Sequence, residues 1–480
     1  MVPEAAMSAA APYRRPHVLV VPFPSKGHLL PLLDFAHLLS TRHQIPLTVA
    51  VTPSDVPLLS AFLSSTPLAT AHPLPLPPLE QPAHHALLAA PLSALRGPLV
   101  SWARSQHHHP PTAVLSDFFL GSAQLVADDL GLPRVAFYSS GAFATAALDH
   151  LWHGALPLDP DSPVVALGAL PGSPSFPYAH VPSVVRSFVP GDPDWELVRQ
   201  GFLLNSRAWG AVVNTFDAIE GEYLEHLKRR FGHGRVWAVG PVADTGCRGP
   251  GERSASTAAE AEAEDLRELF AWLDDCPARS VIYVCFGTMY SPSPAQAAAL
   301  GAALEASGAR FVWAVGGAAA PALLLPEGME ERLARDNKGR VVRGWAPQVE
   351  ILRHVAVGAF VTHCGWNSTL EGVAAGKTLV CWPMKADQFI DARLVVDVHG
   401  AGVCAAEGEA AVPDPAALAR VFADAVDGGW DGDGDGAEMA GVRDKARALA
   451  LAAAEAVEEG GSSWVDLETM VKELEAVAAA

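Results

Sequence analysis

Trp345-Ala346-Pro347-Gln348 opens a segment that continues through His363-Cys364-Gly365-Trp366-Asn367-Ser368 and Glu371 and closes at Asp387-Gln388. It gathers a flat indole, several short hydrogen-bonding side chains, a glycine and a late polar pair, which suits a site that holds a base, a diphosphate and a sugar. The apolar run Val357–Thr362 precedes Cys364-Gly365, and Trp366-Asn367-Ser368 opens a helical stretch through Thr369–Ala374. A strand that feeds directly into a helix presents free backbone N–H groups and a positive dipole end beyond the sheet. Ser280–Phe286, Arg310–Val315 and Thr378–Trp382 repeat the apolar-run form with helical stretches between them, so this half of the chain is a parallel α/β sheet.

The first half alternates in the same way. Strands are expected at His17–Pro22, Leu47–Thr52, Ala113–Ser116 and Arg134–Tyr138, with helices at Leu29–Ser40 and Ala123–Leu130. Two such domains face to face make a cleft, and ligands of open α/β sheets sit beyond the carboxyl ends of the strands, where His28, Thr288, His363 and Asp387 all fall. Proline is too dense between Thr66 and Pro91 for regular structure, which predicts a long surface loop, either bordering a pocket or merely connecting. Gly240-Pro241, Gly246, Gly249-Pro250-Gly251 and the Ala/Glu-rich Ala258–Glu264 mark a composition shift. The expected organisation is an N-terminal domain over 1–240, a linker over 241–270, a second domain over 271–455 and a C-terminal helix over 456–480 that packs back on the first domain.

With 480 residues, half of them hydrophobic, the chain is long enough for two cores. Its net charge of −20 argues against a broad nucleic-acid face or attraction to an anionic membrane, yet leaves room for a diphosphate held by local amides. Six scattered cysteines without a CxxC pair read as reduced, and no stretch reaches the length of a membrane span; a cytoplasmic monomer without stable membrane insertion is expected. Two metal-like patterns are rejected. Asp431-Gly-Asp433-Gly-Asp435-Gly436 has Val442 where a calcium loop needs its closing Glu, and the adjacent His107, His108 and His109 cannot all face one ion. No metal and no cofactor are expected.

The residue chemistry assigns roles within the box. Trp345, next to Ala346, offers a platform for uracil; Gln348 and Glu371 supply hydrogen-bonding groups for a ribose. The helix start at Trp366, Asn367 and Ser368, with His363 and the facing Thr288, suits a diphosphate, and Asp387 with Gln388 suits adjacent hexose hydroxyls.

Over essentially its whole length, from Pro22-Phe23-Pro24-Ser25-Lys26-Gly27-His28 to the C-terminal helix, the chain resembles plant family 1 UDP-dependent glycosyltransferases. The resemblance implies a GT-B fold of two Rossmann-like domains, the acceptor held mainly by the first and the UDP-sugar by the second. It implies that Trp345, Gln348, His363, Trp366, Asn367, Ser368, Glu371, Asp387 and Gln388 contact the nucleotide sugar, that the closing Gln388 goes with UDP-glucose, and that Ser139 touches the sugar's terminal hydroxyl. Lys26 stands where Gln is frequent, and Lys377-Thr378 where Val-Pro is frequent.

Sugar transfer to a hydroxyl needs a base for the acceptor proton, and a neutral imidazole suits that task. His28 starts the first helix, and Asp117, after Ala113–Ser116, is placed to orient it, a dyad the resemblance also implies. The expected mechanism is a single inverting displacement, with the helix end and His363 taking up the charge on the departing diphosphate. A dinucleotide-dependent dehydrogenase is disfavoured because Pro24-Ser25-Lys26-Gly27-His28 lacks GxGxxG spacing, and a hydrolase because no GxSxG elbow appears. A noncatalytic UDP-sugar-binding protein would not need both His28 and Asp117. Phe118-Phe119-Leu120 and the stretch from Phe143 to Trp152 are consistent with a small, flat aromatic acceptor, and Trp382 to Arg393 around Asp387 resembles the branch of the family that glycosylates flavonoids and other phenolics, which implies a flavonoid or other phenolic first and a terpenoid or hormone-like alcohol as the alternative.

Overall fold

The computed structural model describes residues 16–53, 55–74, 84–154, 156–242, 257–288, 290–315, 325–426 and 436–479. The N-terminal Ala-rich stretch, the Pro-rich 75–83, the glycines of 243–256 and most of the acidic turn at 431–436 lie outside them.

Two parallel sheets organise the chain. The first holds β1 (Val18–Val21), β2 (Leu47–Val51), β3 (Ala69–Pro73), β4 (Ala113–Asp117), β5 (Arg134–Tyr138), β8 (Gly210–Val213) and β9 (Val236–Ala238), in the order β3-β2-β1-β4-β5-β8-β9. A small antiparallel hairpin of β6 (Val164–Ala166) and β7 (Ser175–Pro177) stands apart. The second sheet holds β10 (Val281–Cys285), β11 (Arg310–Val315), β12 (Gly339–Arg343), β13 (Val357–Thr362), β14 (Thr378–Cys381) and β15 (Gly402–Cys404), in the order β12-β11-β10-β13-β14-β15. Helices cover both faces, so the central strands are buried on both sides: every residue of β1, β4, β5 and β13 is buried.

Each sheet reverses its strand order once, between β1 and β4 in the first and between β10 and β13 in the second. Chains leaving those neighbouring strands diverge to opposite faces and open a crevice at the carboxyl ends. His28 and Asp117 flank the first crevice, Thr288 and His363 the second.

The structure corrects the sequence reading of Thr66–Pro91. Ala69–Pro73 is a strand, paired in parallel with β2 from Leu47↔Ala69 to Val51↔Pro73, and short helices run over His85–Leu88 and Ala89–Ser93. Proline is tolerated there because β3 is the sheet edge and Pro73 its last residue, where no ladder donor is missed. The Ala/Glu-rich run expected to be linker lies within the helix Thr257–Asp274, in keeping with the strong helix preference of Ala and Glu.

The final helix, Ser462–Ala479, lies on the first sheet: Leu467, Met470, Val471 and Leu474 share a core with Leu32, Phe35 and Trp237. Asp466 accepts the backbone N–H of Ala238 at 2.8 Å, and Ser463 donates to the carbonyl of Gly240 at 2.6 Å. The chain thus crosses between the halves twice, so the last helix ties the second half to the first independently of the segment after Val242.

Candidate active site

The helix Lys26–His43 begins after β1 and carries His28 in its first turn. Asp117 ends β4, fully buried, and its two carboxylate oxygens lie 3.1 and 3.0 Å from Nδ1 of His28. Its Oδ1 also accepts the Phe119 backbone N–H at 2.8 Å, which fixes the carboxylate plane. With Nδ1–H committed to Asp117, the basic lone pair sits on Nε2. Phe23, Phe118 and Phe119 surround the imidazole with centroids 5.2, 5.4 and 4.6 Å away. His28, Phe118, Phe119, Ser140, Ala386 and Asp387 line a cavity of about 70 Å³, which joins the first half's base to the second half's Asp387.

Behind the dyad lies a group that sequence reasoning passed over. Arg134 is fully buried and among the described residues bonds no carboxylate: Nε donates to Ser116 Oγ at 2.8 Å and one terminal nitrogen to Asn205 Oδ1 at 2.9 Å. Asn205 in turn donates to the carbonyl of Phe118 at 2.8 Å. Burial pulls the guanidinium down to about 10, opposed by the nearby Tyr138 and Asp117. The network pins the residues on either side of Asp117. No local motif announces it, because its partners come from three elements.

Ser139 Oγ stands 3.3 Å from His28 Nδ1, so this hydroxyl belongs to the surroundings of the base. Its neighbour Ser140, absent from the sequence reading, donates to Asp387 Oδ2 at 2.6 Å across the cleft. Along β5 and its exit, successive side chains point to opposite sides, so the pair Ser139-Ser140 was the available signal.

In the second half, the helix Trp366–Ala374 starts beyond β13, and the N–H groups of Trp366, Asn367 and Ser368 precede its first internal bond, from Thr369 N to Gly365 O. Cys364 turns the chain into it with a φ of 64°. The His363 ring packs between two glycines: a Cβ built on Gly287 would lie 2.8 Å from it and one on Gly365 2.7 Å. Burial lowers its pKa to about 4, and Nδ1 has no partner among the described residues. His363 is therefore a neutral ring at physiological pH. Such a ring could offer an anion a hydrogen bond but no charge, and the positive end of the helix dipole lies beside it.

Gln348 opens the helix Gln348–Arg353, and its Nε2 donates to Ser368 Oγ at 3.1 Å and to Glu371 Oε2 at 2.8 Å. These three residues form one polar cluster, with Trp345 and Ala346 half-buried just before it. Asn367 and Glu371 also border a cavity of about 190 Å³, together with Arg353, Leu370, Val242 and Asn214. Arg353 and Asn214 are further polar groups the sequence did not single out. Thr288 is exposed after β10. Gln388 is buried, and its Oε1 accepts the backbone N–H groups of Met384 and Lys385 at 2.9 and 3.0 Å, so the amide nitrogen is the end it can offer a ligand.

Two residues of the box also bond across the cleft. The Trp366 indole is buried and donates to the carbonyl of Asn214 at 2.7 Å, so its side chain braces the two halves and only its backbone faces the helix-end site. Asn367 Nδ2 donates to the carbonyl of Gly27 at 2.8 Å, next to the base. The unusual Lys377 has a structural account: its buried ammonium donates to the carbonyls of Val357 at 2.8 Å and His354 at 3.2 Å where β13 begins. Lys26 is exposed at the first helical position.

Among the described residues no cluster of His, Cys, Asp and Glu fits a metal ion, and no single helix is long and apolar enough to cross a membrane. Comparison with known proteins agrees with this architecture. Residues 254–426 match the family model described as UDP-glucoronosyl and UDP-glucosyl transferase. The chain is 41% identical to a flavonol 3-O-glucosyltransferase of Arabidopsis thaliana, UGT89B1, with 95% of each chain covered. Arabidopsis thaliana UGT89C1 complexed with UDP-L-rhamnose superposes with a TM-score of 0.75 at 34% identity, covering 96% of this chain and 99% of that one. The same enzyme complexed with quercetin gives 0.73 at 32% identity, covering 96% and 100%. Two parallel α/β domains closed around a shared cleft, and relatives matched over nearly their full length, place this chain in the plant UDP-glycosyltransferase family with the GT-B fold.

Proposed function

We propose that this enzyme transfers glucose from UDP-glucose to a phenolic hydroxyl of a flavonoid, by one inverting displacement without a metal ion. The observation that carries the reading is the convergence of His28, bound to Asp117, with Ser140 and Asp387 on one cavity across the cleft. In this reading the acceptor hydroxyl lies against Nε2 of His28, which takes its proton as the oxygen attacks the anomeric carbon. Asp117 stabilises the imidazolium formed in that step. Uracil stacks on Trp345, the ribose hydroxyls meet Glu371 and Gln348, and the diphosphate lies on the N–H groups of Trp366, Asn367 and Ser368 with His363 and Thr288 beside it. Asp387 and the Gln388 amide then hold the hexose, with Ser139 and Ser140 on its far side.

UDP departs from the face opposite the attacking oxygen, and its growing charge falls on donors already in place, which costs no reorganisation. The flavonoid assignment rests on the flavonol glucosyltransferase activity of the 41%-identical relative and on the quercetin complex of the structural neighbour. The phenylalanines around His28 suit a flat ring. The neighbour's UDP-L-rhamnose complex makes rhamnose the donor to test against glucose. Purified protein is incubated with UDP-glucose, UDP-rhamnose and other UDP-sugars against flavonols, simple phenols and terpenoid alcohols. The reading expects a β-linked flavonoid glucoside by mass and NMR. Transfer confined to terpenoid alcohols, an α-linked product, or UDP-sugar binding without any turnover would each overturn it.

A further inference from the structure

We propose that His84 and Ser183 anchor the acceptor at a second point, selecting molecules that carry a hydrogen-bond-accepting oxygen in addition to the reacting hydroxyl. The proposal rests on the acceptor reading above and goes beyond it by naming what else the acceptor must carry.

The cavity that holds His28 has a second set of polar groups in its wall, His84 and Ser183, with Phe118, Phe119, Leu148 and Val184 among its apolar lining. A mostly apolar pocket with a few fixed polar groups discriminates through those groups, because each must be matched when water leaves. The His84 ring is held in one orientation. Nδ1 accepts the Ala86 backbone N–H at 3.2 Å, so the ring proton resides on Nε2. Nε2 lies 3.4 Å from Ser183 Oγ, at the outer limit of a hydrogen bond, so a ligand oxygen that approaches both from the cavity competes only with a weak bond. The ring of Trp195, tilted at 5.5 Å, holds the imidazole from another side.

Burial, followed by the charges of Lys385 and Arg186, lowers the pKa of His84, which keeps the ring neutral and leaves Nε2–H as a donor only. Lys385 is paired with Glu409 at 3.2 Å, while Arg186 Nε bonds the carbonyl of Val181 at 2.8 Å. A ring N–H, a serine hydroxyl and two cations nearby all favour an oxygen that accepts over a group that donates. A carbonyl on a phenolic ring is the simplest such ligand.

The test uses two acceptors of the same shape, para-hydroxyacetophenone and para-isopropylphenol, which differ in the remote oxygen. Steady-state kinetics with UDP-glucose are compared for wild type, His84→Phe, His84→Gln and Ser183→Ala. The readout is the ratio of kcat/KM for the two phenols, in which the intrinsic reactivity of each phenol cancels between enzymes. His84→Phe is expected to lower the preference for the ketone about tenfold, the worth of one hydrogen bond. The change should lie in KM, with kcat for para-isopropylphenol kept, since the contact is made equally in ground and transition states. His84→Gln, which keeps a donor, should retain most of the preference, and Ser183→Ala should lose part of it. A ratio unchanged in His84→Phe, or an equal loss on both phenols, overturns the anchor alone. Wild-type enzyme that glycosylates neither phenol nor any flavonoid overturns the acceptor reading and the anchor with it.

Discussion

Replacing Asp117 by Asn should abolish most turnover while leaving the fold and the UDP site intact. The carboxylate is fully buried and does two things at once: it receives Nδ1 of His28 at 3.1 and 3.0 Å, and it accepts the Phe119 N–H at 2.8 Å. An amide of the same shape has one accepting oxygen. If that oxygen keeps the Phe119 N–H, the NH₂ group takes the place 3.0 Å from Nδ1, where two donors would meet, and so favours the ring proton on Nε2, where the acceptor proton has to go. If the amide flips to keep the His28 tautomer, two N–H donors meet at Phe119, a buried mismatch costing about 1–3 kcal/mol. Either way the charge that would stabilise the imidazolium is gone. General-base catalysis contributes about 10²–10⁴-fold, so kcat should fall by that factor, roughly 3–5 kcal/mol in the barrier.

The assay is initial rates at saturating UDP-glucose and flavonol, with UDP affinity by calorimetry and far-UV circular dichroism as controls. UDP affinity should hold, because Asp117 sits at the crevice of the first sheet and the helix end that suits the diphosphate belongs to the second. A folded Asp117→Asn enzyme with kcat within threefold of wild type refutes the dyad. A variant that loses UDP binding as well would make Asp117 a support of the whole cleft.

Three further outcomes follow from the same geometry. Trp366→Phe removes the indole N–H from the buried Asn214 carbonyl at 2.7 Å, and should cost about 1–3 kcal/mol of stability, read as a lower urea midpoint with UDP still bound. Gly365→Ala places a methyl 2.7 Å from the His363 ring at an ordinary φ of −60°, so the protein should fold while UDP affinity drops about tenfold by calorimetry, a displaced charge-assisted contact. His363, held neutral in the fold with a pKa near 4, takes up a proton at about 6.5 once unfolded. Unfolding therefore binds a proton between those values, and the native state loses up to about 3 kcal/mol as pH falls from about 6.5 toward 4. His363→Asn should flatten that limb in urea titrations run at several pH values, and an unchanged slope would contradict the buried neutral ring.

What the sequence reveals of this fold follows from how parallel sheets are built. Strands buried on both faces read as unbroken apolar runs, which is why Arg310–Val315, Val357–Thr362 and Arg134–Tyr138 have the same bounds in sequence and structure. The edge strand Ala69-Thr-Ala-His-Pro73 has half-buried faces and a terminal proline, so its pattern is that of a loop until β2 is beside it. The candidate site divides along the same line. Trp345 to Gln388 is legible because one strand-to-helix turn and its flanks carry it. The bonds Trp366 to Asn214, Asn367 to Gly27, Ser140 to Asp387 and Arg134 to Asn205 join residues far apart in the chain, and no spacing encodes them. The indole bond of Trp366 is not foreseen from the sequence for the same reason: its neighbours in sequence open the helix and its neighbours in space belong to the other half.

Those cross-cleft bonds also tie the base to the state of the donor half. Asn367 reaches the carbonyl of Gly27, one residue before His28, and Asp387 takes the hydroxyl of Ser140, one residue after the serine nearest that ring. In the proposed reading, both second-half side chains are ones that a UDP-sugar engages. A donor that draws Asn367 toward its phosphate or Asp387 toward its hexose must share or replace these bonds, and the loss is felt at the two turns that border the imidazole. Trp366 is different, since its indole bond to Asn214 lies off the ligand side of the helix and survives the exchange. Of these three cross-cleft bonds, one lies away from the proposed ligand and two would compete with it, while Arg393 to the Ser175 carbonyl and His399 to the Ile219 carbonyl add further ties, so the cleft can remain shut at its base while the groups around His28 readjust to the sugar that has arrived.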